Sequence, residues 1–274
     1  MNRTPSRTSR ELALSVRRHV LGMLHRANSS HVGSCLSCAD LLAVLYSTVL
    51  RIAPRNPQWS ERDRFVLSKG HAAAALYAAL AETGFFPCQW LDEYGMKGSA
   101  LLGHASHHVP GVEFSSGSLG HGLPVACGMA LALRREHRAN RVFALLSDGE
   151  LDEGSNWEAI LFAPHHHLDN LAVIVDYNKI QSFGRVSEVL ELHPLAEKFQ
   201  SFNWGVVEID GHDLEEIRSA LSSVPALAGK PTAILAHTVK GKGVSFMENQ
   251  LMWHYRSPSD EQLQLALDEL EGKQ

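Results

Sequence analysis

Two short apolar runs on either side of one helical stretch constrain the fold of this chain most strongly. Residues 143–146 and 171–175 are continuous apolar segments of strand length, and the stretch between them is long enough for one helix. A right-handed crossover of this kind brings the carboxyl ends of both strands to the same edge of a parallel sheet. The sequence therefore predicts a βαβ unit at the centre of the molecule.

The same alternation of strands and helices continues on both sides of this unit. Further strands are predicted at residues 64–68, 206–209 and 233–236. Helices are predicted at residues 8–27, 39–50, from about 72 through 82, 117–138, 214–224 and 257–271, and loops at residues 28–34 and 84–116. Strands that alternate with helices throughout predict an α/β fold: one doubly wound domain over residues 1–274, with a mainly parallel sheet and helices on both faces.

Three local features predict where particular helices begin or end. Thr8 and Glu11 have the spacing of a capping box. Ser257 and Pro258 are expected to be the N-cap and first residue of the last helix. Pro164 lies inside the helical stretch of the central unit, where we expect a kink or an early end.

The composition excludes several classes of protein. A chain of 274 residues, 45% hydrophobic and 20% charged, has an ordinary globular composition, and a net charge of −5 without a basic block argues against nucleic-acid binding. There is no run of about 18 apolar residues to span a membrane, and because the basic N-terminal segment has no continuous apolar core, no signal peptide is expected. Four cysteines make no disulfide framework, so Cys35 and Cys38 are expected to be buried thiols in a cytoplasmic protein.

Polar residues at the ends of the two central strands predict a metal site. Asp148 follows the first run and Asn178 follows the second, so their side chains are expected to lie side by side. Carboxylate and amide oxygens suit Mg²⁺ or Ca²⁺, and such an ion attracts phosphate. Gly149 would let the backbone approach that ligand, and the helix that follows would direct free N–H groups at it. An isolated Asp-Gly is commonly just a turn, but two strand ends at this separation favour a metal and a diphosphate.

Two glycine-containing segments permit more than one interpretation. Residues 117–122 read GSLGHG, a pattern that on its own is usually a tight entry into a helix. It neither follows a clear strand nor has a later acidic partner, which argues against a dinucleotide site. Residues 240–243, KGKG, are compatible with a phosphate cradle and equally with a solvated turn.

Sixteen histidines are many for this length. Most histidines in loops are solvated surface residues, yet imidazole is well suited to proton transfer near neutral pH. His71 is expected at the junction of the first strand and its helix, facing the same crevice as Asp148 and Asn178. Residues 165–167 are three consecutive histidines, which on a helix point in different directions and are expected at the surface. The histidines beside glycine or in loops at strand ends are His31, His71, His104, His121 and His254.

Motifs along nearly the whole chain resemble those of transketolase, and more narrowly its N-terminal half when that half is a separate subunit. Asp148-Gly149 followed by Asn178 is similar to the thiamine-diphosphate motif, with Ser147 and Tyr177 as departures from it. The other segments are 27–33, 68–72, 110–113, 117–120, 210–212 and 240–249, together with Trp253-His254. The resemblance implies a diphosphate-binding α/β domain, which agrees with the fold predicted above.

The resemblance also implies cofactors and roles for individual residues. Thiamine diphosphate and Mg²⁺ (or Ca²⁺) would be bound, and a two-carbon ketol unit would pass from a ketose phosphate to an aldose. The metal ligands would be Asp148, Asn178 and the carbonyl of Ile180. The cofactor-binding residues would be His71, Gly117, Leu119, Asp148, Gly149, Glu150, Asn178 and His254. The catalytic residues would be His31, His71, His104, His254 and Glu153, of which Glu153 would lie at a subunit interface.

Two further departures from the family pattern concern contacts near the cofactor and the loop that would recognise the donor sugar. His121 stands where the family commonly has Gln, and residues 104–106 read His-Ala-Ser in place of His-Pro followed by an acid. The change at residues 104–106 affects the loop that would recognise the donor. The resemblance therefore leaves room for an unusual sugar phosphate as the donor. Ser147 and Tyr177 alter the thiamine-diphosphate motif but leave both implied ligand side chains, Asp148 and Asn178, in place.

The resemblance implies that this chain is half of an enzyme. The family's pyrimidine-binding domain is expected on a separate C-terminal subunit, in a heterotetramer of two chains of each kind. Two alternatives remain open at this point: an α-type subunit of a 2-oxo acid dehydrogenase, and a non-catalytic subunit for assembly or regulation. His31, His71 and the segment from Gly241 to His254 favour sugar transfer over the first.

Overall fold

A computed structural model describes residues 7–273 of the chain. Its single sheet has five strands, all parallel. They are β1 (Arg64–Leu67), β2 (Val142–Ser147), β3 (Leu171–Tyr177), β4 (Gly205–Asp210) and β5 (Thr232–His237), in the order β1-β2-β3-β5-β4. All five predicted strands are confirmed, with ends within two residues of the prediction.

Within the described part of the chain, ten α-helices connect and cover the strands. They are α1 (Ser9–Arg26), α2 (Val32–Ser37), α3 (Ala39–Val44), α4 (Ala73–Glu82), α5 (Gly122–Arg135), α6 (Gly154–His165), α7 (Val186–Val189), α8 (Leu195–Ser201), α9 (Leu214–Ser222) and α10 (Asp260–Leu270). Short 3₁₀ turns occupy Gly70–Ala72, Cys88–Glu93, Gly149–Asp152 and Leu251–His254. Among the described residues, no helix has both the length and the apolar character that a membrane span requires.

Helices pack on both faces of the sheet, as the doubly wound prediction requires. Successive residues of β2 point to opposite faces, so Phe143 and Leu145 join one hydrophobic core while Ala144 and Leu146 join the other. Each strand residue from 142 to 146 is fully buried, which explains why the sequence there is continuously apolar rather than alternating.

Several predicted boundaries were wrong for local physical reasons. The loop predicted at 28–34 ends at His31, which has a positive φ of 78°, and α2 begins at Val32. The segment 39–50 is not one helix, because α3 passes into a π-helical turn, Leu45–Val49. α5 begins at Gly122 rather than residue 117, since Gly120 has a φ of 82° that no α-helix contains.

The predicted caps had mixed outcomes. Thr8 and Glu11 form the expected capping box at the start of α1. Ser257 is not the N-cap of α10: Ser259 is, and it forms a capping box with Gln262. Pro164 lies in the last turn of α6, which ends one residue later, so the early end is confirmed.

Candidate active site

The carboxyl edge of the sheet brings together the residues predicted to bind a metal. Asp148 directly follows β2 and Asn178 directly follows the neighbouring β3, and both side chains are buried. The two strand ends are joined by a hydrogen bond of 2.5 Å from the backbone N–H of Lys179 to Oδ2 of Asp148. The predicted adjacency of the two strand ends is therefore observed.

Three oxygen donors of different chemistry lie at this edge of the sheet. Oδ1 of Asp148 accepts the Gly149 N–H at 2.7 Å, and Oδ1 of Asn178 accepts the Ile180 N–H at 3.1 Å. The Ile180 carbonyl accepts a hydrogen bond from Nζ of Lys240 at 2.8 Å. A carboxylate, an amide oxygen and a backbone carbonyl form the all-oxygen donor set that suits a hard divalent cation.

The electrostatics of Asp148 favour a cation beside it. Burial, reinforced by the nearby carboxylate of Asp176, raises the pKa of Asp148 to about 6. Ionisation of the Asp148 carboxyl is therefore unfavourable when no cation lies beside it. A divalent cation against the carboxylate would offset that cost.

Lys240 connects the oxygen cluster to the histidines. Its side chain is 1% exposed, and Nζ lies 2.8 Å from the Ile180 carbonyl and 3.1 Å from Nδ1 of His254. Burial lowers the pKa of Lys240 to about 8. Of the two interpretations of the KGKG segment, this position favours the phosphate cradle over the solvated turn.

Four of the predicted histidines surround one space. The ring centroid of His31 lies 5.2 Å from that of His71, 5.1 Å from that of His254 and 5.9 Å from that of His104. The backbone N–H of His31 also donates to the His254 carbonyl at 3.0 Å, which fixes two distant chain segments together. These residues lie on separate loops in the sequence, and the fold gathers them.

Three of these imidazoles, those of His31, His71 and His254, are held in the neutral form. Burial, followed by the charges of neighbouring histidines and lysines, lowers the pKa of His31 to about 4. Burial and then Lys240 lower the pKa of His254 to about 3. Burial likewise holds the pKa of His71 well below its ordinary value. Near neutral pH each ring has one nitrogen that accepts a proton and one that donates.

The glycine-rich turn at residues 117–122 packs against the end of β1. A Cβ on Gly122 would clash with Oγ of Ser68, so only glycine fits there. Gly117 lies against the ring of His104, and Leu119 is half-buried. The exposed His121 directs Nδ1 to the Leu119 carbonyl at 3.0 Å.

Glu150 and Glu153 have different environments. The Glu150 carboxylate is buried and accepts hydrogen bonds from Ser68 Oγ and, at 3.0 Å, from the Gly120 N–H. Its side chain therefore fixes the glycine-rich turn to the ends of β1 and β2. Glu153 is exposed at the N-terminus of α6 and packs beside Gly120.

Sequence reasoning missed three buried polar residues next to the site. Lys69 and Asp176 form an ion pair, and Tyr77 makes hydrogen bonds to the loop that carries His104. A charged residue inside or directly after an apolar run was the available signal for Lys69 and Asp176. Tyr77 in an alanine-rich helix gave no comparable signal.

Among residues 7–273, the other potential metal ligands and thiols do not add a second site. His19, Glu82 and Cys88 lie close together, but the Glu82 carboxylate already pairs with His19 at 2.8 Å and Arg7 at 2.5 Å. We assign no ion there. Cys35 and Cys38 are buried free thiols, as predicted, and burial raises their pKa values to about 11 and about 12.

Comparisons with known proteins agree with this geometry. A family model described as transketolase, thiamine diphosphate binding domain, matches residues 8–269. The chain is 43% identical over 257 residues to the 6-deoxy-6-sulfo-D-fructose transketolase subunit of Clostridium sp. (strain MSTE9), covering 93% of this chain and 94% of that subunit. It is 41% identical over 265 residues to an apulose-4-phosphate transketolase subunit of Actinobacillus succinogenes, with 95% of each covered.

Solved structures of longer transketolases have the same fold. The Campylobacter jejuni enzyme superposes with a TM-score of 0.91 at 32% identity, over 96% of this chain and 43% of that one. The Leishmania mexicana enzyme gives a TM-score of 0.90 at 28% identity, over 97% of this chain and 42% of that one. The chain thus spans about two fifths of the solved transketolases that it matches.

Proposed function

The chain belongs to the transketolase family, as a thiamine-diphosphate-binding domain of that family, and we propose that it transfers a two-carbon ketol unit from a ketose phosphate to an aldose phosphate. The observation that carries the proposal is the continuity of its polar site. Lys240 bridges the oxygen cluster at Ile180 and the histidine cluster at His254, so a diphosphate site and a sugar site would share one crevice.

Thiamine diphosphate, when bound, would supply the nucleophilic carbon and the electron sink for breaking and forming the carbon–carbon bond. The residues of this chain would bind and orient it. Asp148, Asn178 and the Ile180 carbonyl fit an Mg²⁺ or Ca²⁺ ion, and Gly149 and the backbone of Glu150 would border the diphosphate. His71 and His254 would donate hydrogen bonds to it.

The histidines would also handle the protons of the sugar. His31 and His104 would bind hydroxyl groups of the substrate and accept or return protons as its carbonyl and hydroxyl groups interconvert. The neutral state that burial imposes on His31 leaves a ring nitrogen free to accept a proton at pH 7. His254, also neutral, would serve at the reacting end of the substrate.

A partner subunit is the second part of the proposal. Relatives that this chain matches over nearly their whole length are named as transketolase subunits, which supports a separate chain for the pyrimidine-binding domain. We propose a heterotetramer in which Glu153 meets the partner at the interface. Gly117 would face the aminopyrimidine and Leu119 would support the thiazolium ring.

Family membership favours sugar transfer over the 2-oxo acid dehydrogenase alternative. A non-catalytic role in assembly or regulation is the remaining alternative. The donor and acceptor sugars of the relatives belong to those proteins, and the His-Ala-Ser segment at 104–106 supports a donor preference that differs from that of ordinary transketolases.

Calorimetric titration tests the proposal directly. Thiamine diphosphate with Mg²⁺ is titrated into this chain, alone and with its C-terminal subunit, and two-carbon transfer is assayed in parallel. Binding is expected to strengthen with the partner and to disappear in Asp148→Ala, while the half-buried control Asp169→Ala, away from the site, binds as wild type. Absence of binding heat in both preparations would refute the cofactor assignment, and binding without transfer to any aldose would support the non-catalytic role.

A further inference from the structure

The loop that carries His104 has little regular structure of its own. Between the 3₁₀ turn at Cys88–Glu93 and α5, the described chain contains no helix or strand. The position of the His104 imidazole therefore depends on individual hydrogen bonds between this loop and the rest of the domain.

One buried hydroxyl makes two of those hydrogen bonds. Oη of Tyr77 donates to the His104 carbonyl at 2.9 Å and accepts the Ser106 N–H at 3.1 Å. The Tyr77 side chain is fully buried in α4, whose other buried residues are alanine and leucine. A single hydroxyl thus satisfies the backbone on both sides of residue 105.

Two further contacts restrict the same segment. The Ala105 N–H donates to the Gly70 carbonyl at 3.2 Å, a bond that a proline at this position could not make, and the Ala105 carbonyl accepts the Ser116 N–H at 3.1 Å. The His104 ring lies against Gly117, where a Cβ would come within 3.2 Å of Cδ2. These contacts fix the backbone around His104 and cover one side of its ring. The centroid of the His104 ring then lies 5.9 Å from that of His31.

We propose that Tyr77 is a positioning residue that acts through His104, its hydroxyl holding the loop so that the imidazole meets the hydroxyl groups of the donor sugar. This inference rests on the proposed function. Tyr77 itself touches neither substrate nor cofactor, and its effect on turnover passes entirely through the position of one imidazole.

Tyr77→Phe is a sharp test because it keeps the buried ring and removes only the hydroxyl. It leaves the His104 carbonyl and the Ser106 N–H without their partner. We expect kcat/KM for the donor to fall about tenfold, the scale of losing one or two such bonds, mainly through KM. The affinity for thiamine diphosphate should stay within about twofold of wild type, since no metal ligand moves. Tyr46→Phe, at another buried tyrosine, is the matched control and should leave both constants unchanged.

A double-mutant cycle separates a role through His104 from a general loss of packing. In the complex of both subunits, Tyr77→Phe should cost nothing further once His104→Ala is present. The inference is overturned if Tyr77→Phe alone leaves kcat/KM within about twofold of wild type, or if its loss is unchanged in the His104→Ala background.

An NMR measurement keeps this inference separable from the proposed function. The Cε1–H resonance of His104, assigned by its loss in His104→Ala, should shift in Tyr77→Phe and not in Tyr46→Phe. If the wild-type complex transfers no ketol unit, the proposed function fails. The His104 resonance alone then tests whether Tyr77 positions that imidazole. An unshifted His104 signal in Tyr77→Phe would then overturn the inference.

Discussion

Lys69 and Asp176 form an ion pair that is completely buried beneath the candidate active site. Asp176 also accepts hydrogen bonds from Ser37 Oγ at 2.6 Å and from Thr238 Oγ1, and Nζ of Lys69 donates to the Ser34 carbonyl at 3.0 Å. The pair thereby connects the ends of β1, β3 and β5 to α2. These elements carry His71, Asn178 and Lys240, so the ion pair supports the whole crevice.

Lys69→Met should be strongly destabilising because it leaves the Asp176 carboxylate buried without its cation. Breaking one side of a buried pair costs about 3–5 kcal/mol, which urea unfolding would measure. Asp176→Asn in the same chain removes the unpaired charge, so the double variant should be more stable than Lys69→Met alone. An unfolding free energy of Lys69→Met within about 1 kcal/mol of wild type would contradict the assignment of a structural charge pair.

The depressed pKa values of His31 and His254 predict a pH dependence of stability. In the unfolded chain these rings take up protons near pH 6.5, whereas in the folded chain they do so only near pH 4 and pH 3. Between those limits the unfolded state binds more protons, so stability falls as the pH falls from about 6.5, down to about 4 for the contribution of His31 and to about 3 for that of His254.

NMR titration of the Cε1–H signals checks this prediction residue by residue. Neither His31 nor His254 should titrate between pH 7.5 and about pH 5, because their pKa values lie at about 4 and about 3. Lys240→Met should raise the pKa of His254, because the lysine charge is the second cause of its depression after burial. A midpoint near 6.5 for either histidine in the wild-type chain would show that the crevice is more hydrated than its burial implies.

The glycine-rich turn makes a contrasting pair of substitutions possible. Gly120 has a φ of 82°, and a Cβ there would lie 2.6 Å from Ser155 Oγ and 2.7 Å from Glu153 Cβ. Gly120→Ala should therefore lower stability by about 1–3 kcal/mol and weaken cofactor binding, since the turn would have to move. Gly128→Ala in α5 meets nothing within 4 Å and should stabilise by about 0.5–1 kcal/mol. Equal thermal unfolding temperatures for the two variants would refute this explanation.

The strands were predictable from the sequence because burial on both faces demands continuous apolar runs. Their order was not. β5 lies between β3 and β4, and no local pattern shows which of two successive strands takes the edge. The short helices α7 and α8 also escaped prediction, because four and seven residues are too few to display helical periodicity.

The candidate site was predictable only where residues follow a strand. Asp148 and Asn178 stand two and three residues after the apolar runs 143–146 and 171–175, at the ends of neighbouring strands, so topology alone brings them together. Gly33 was interpreted as a loop residue, yet it lies within α2, where a Cβ would be 3.0 Å from Cγ of Lys240. Because Gly33 has no side chain, there is room for Lys240, which lies 207 positions away in the sequence. A contact of that range cannot be read from one sequence.

Asp40 gives the sharpest prediction for acid stability, because its carboxylate holds three elements together. It accepts two hydrogen bonds from Arg17, at 2.9 and 2.7 Å, and pairs with Nδ1 of His212 at 2.8 Å. Burial by itself would raise the pKa of Asp40, but the bonds from Arg17 and His212 outweigh it and lower the pKa to about 2. The stabilisation is thus complete above the unfolded pKa near 4 and is lost as the pH falls from about 4 to about 2.

Asp40→Asn should remove that contribution, about 2 kcal/mol at neutral pH, and flatten the loss of stability between about pH 4 and pH 2. Asp169→Asn is the control, since its pair with Arg134 lies at the surface and contributes less than about 1 kcal/mol. Urea unfolding of both variants at neutral pH, together with acid titrations followed by circular dichroism, makes the comparison. If Asp40→Asn unfolds in acid along the wild-type curve, other carboxylates govern acid unfolding, because a side chain without a titrating proton contributes no slope.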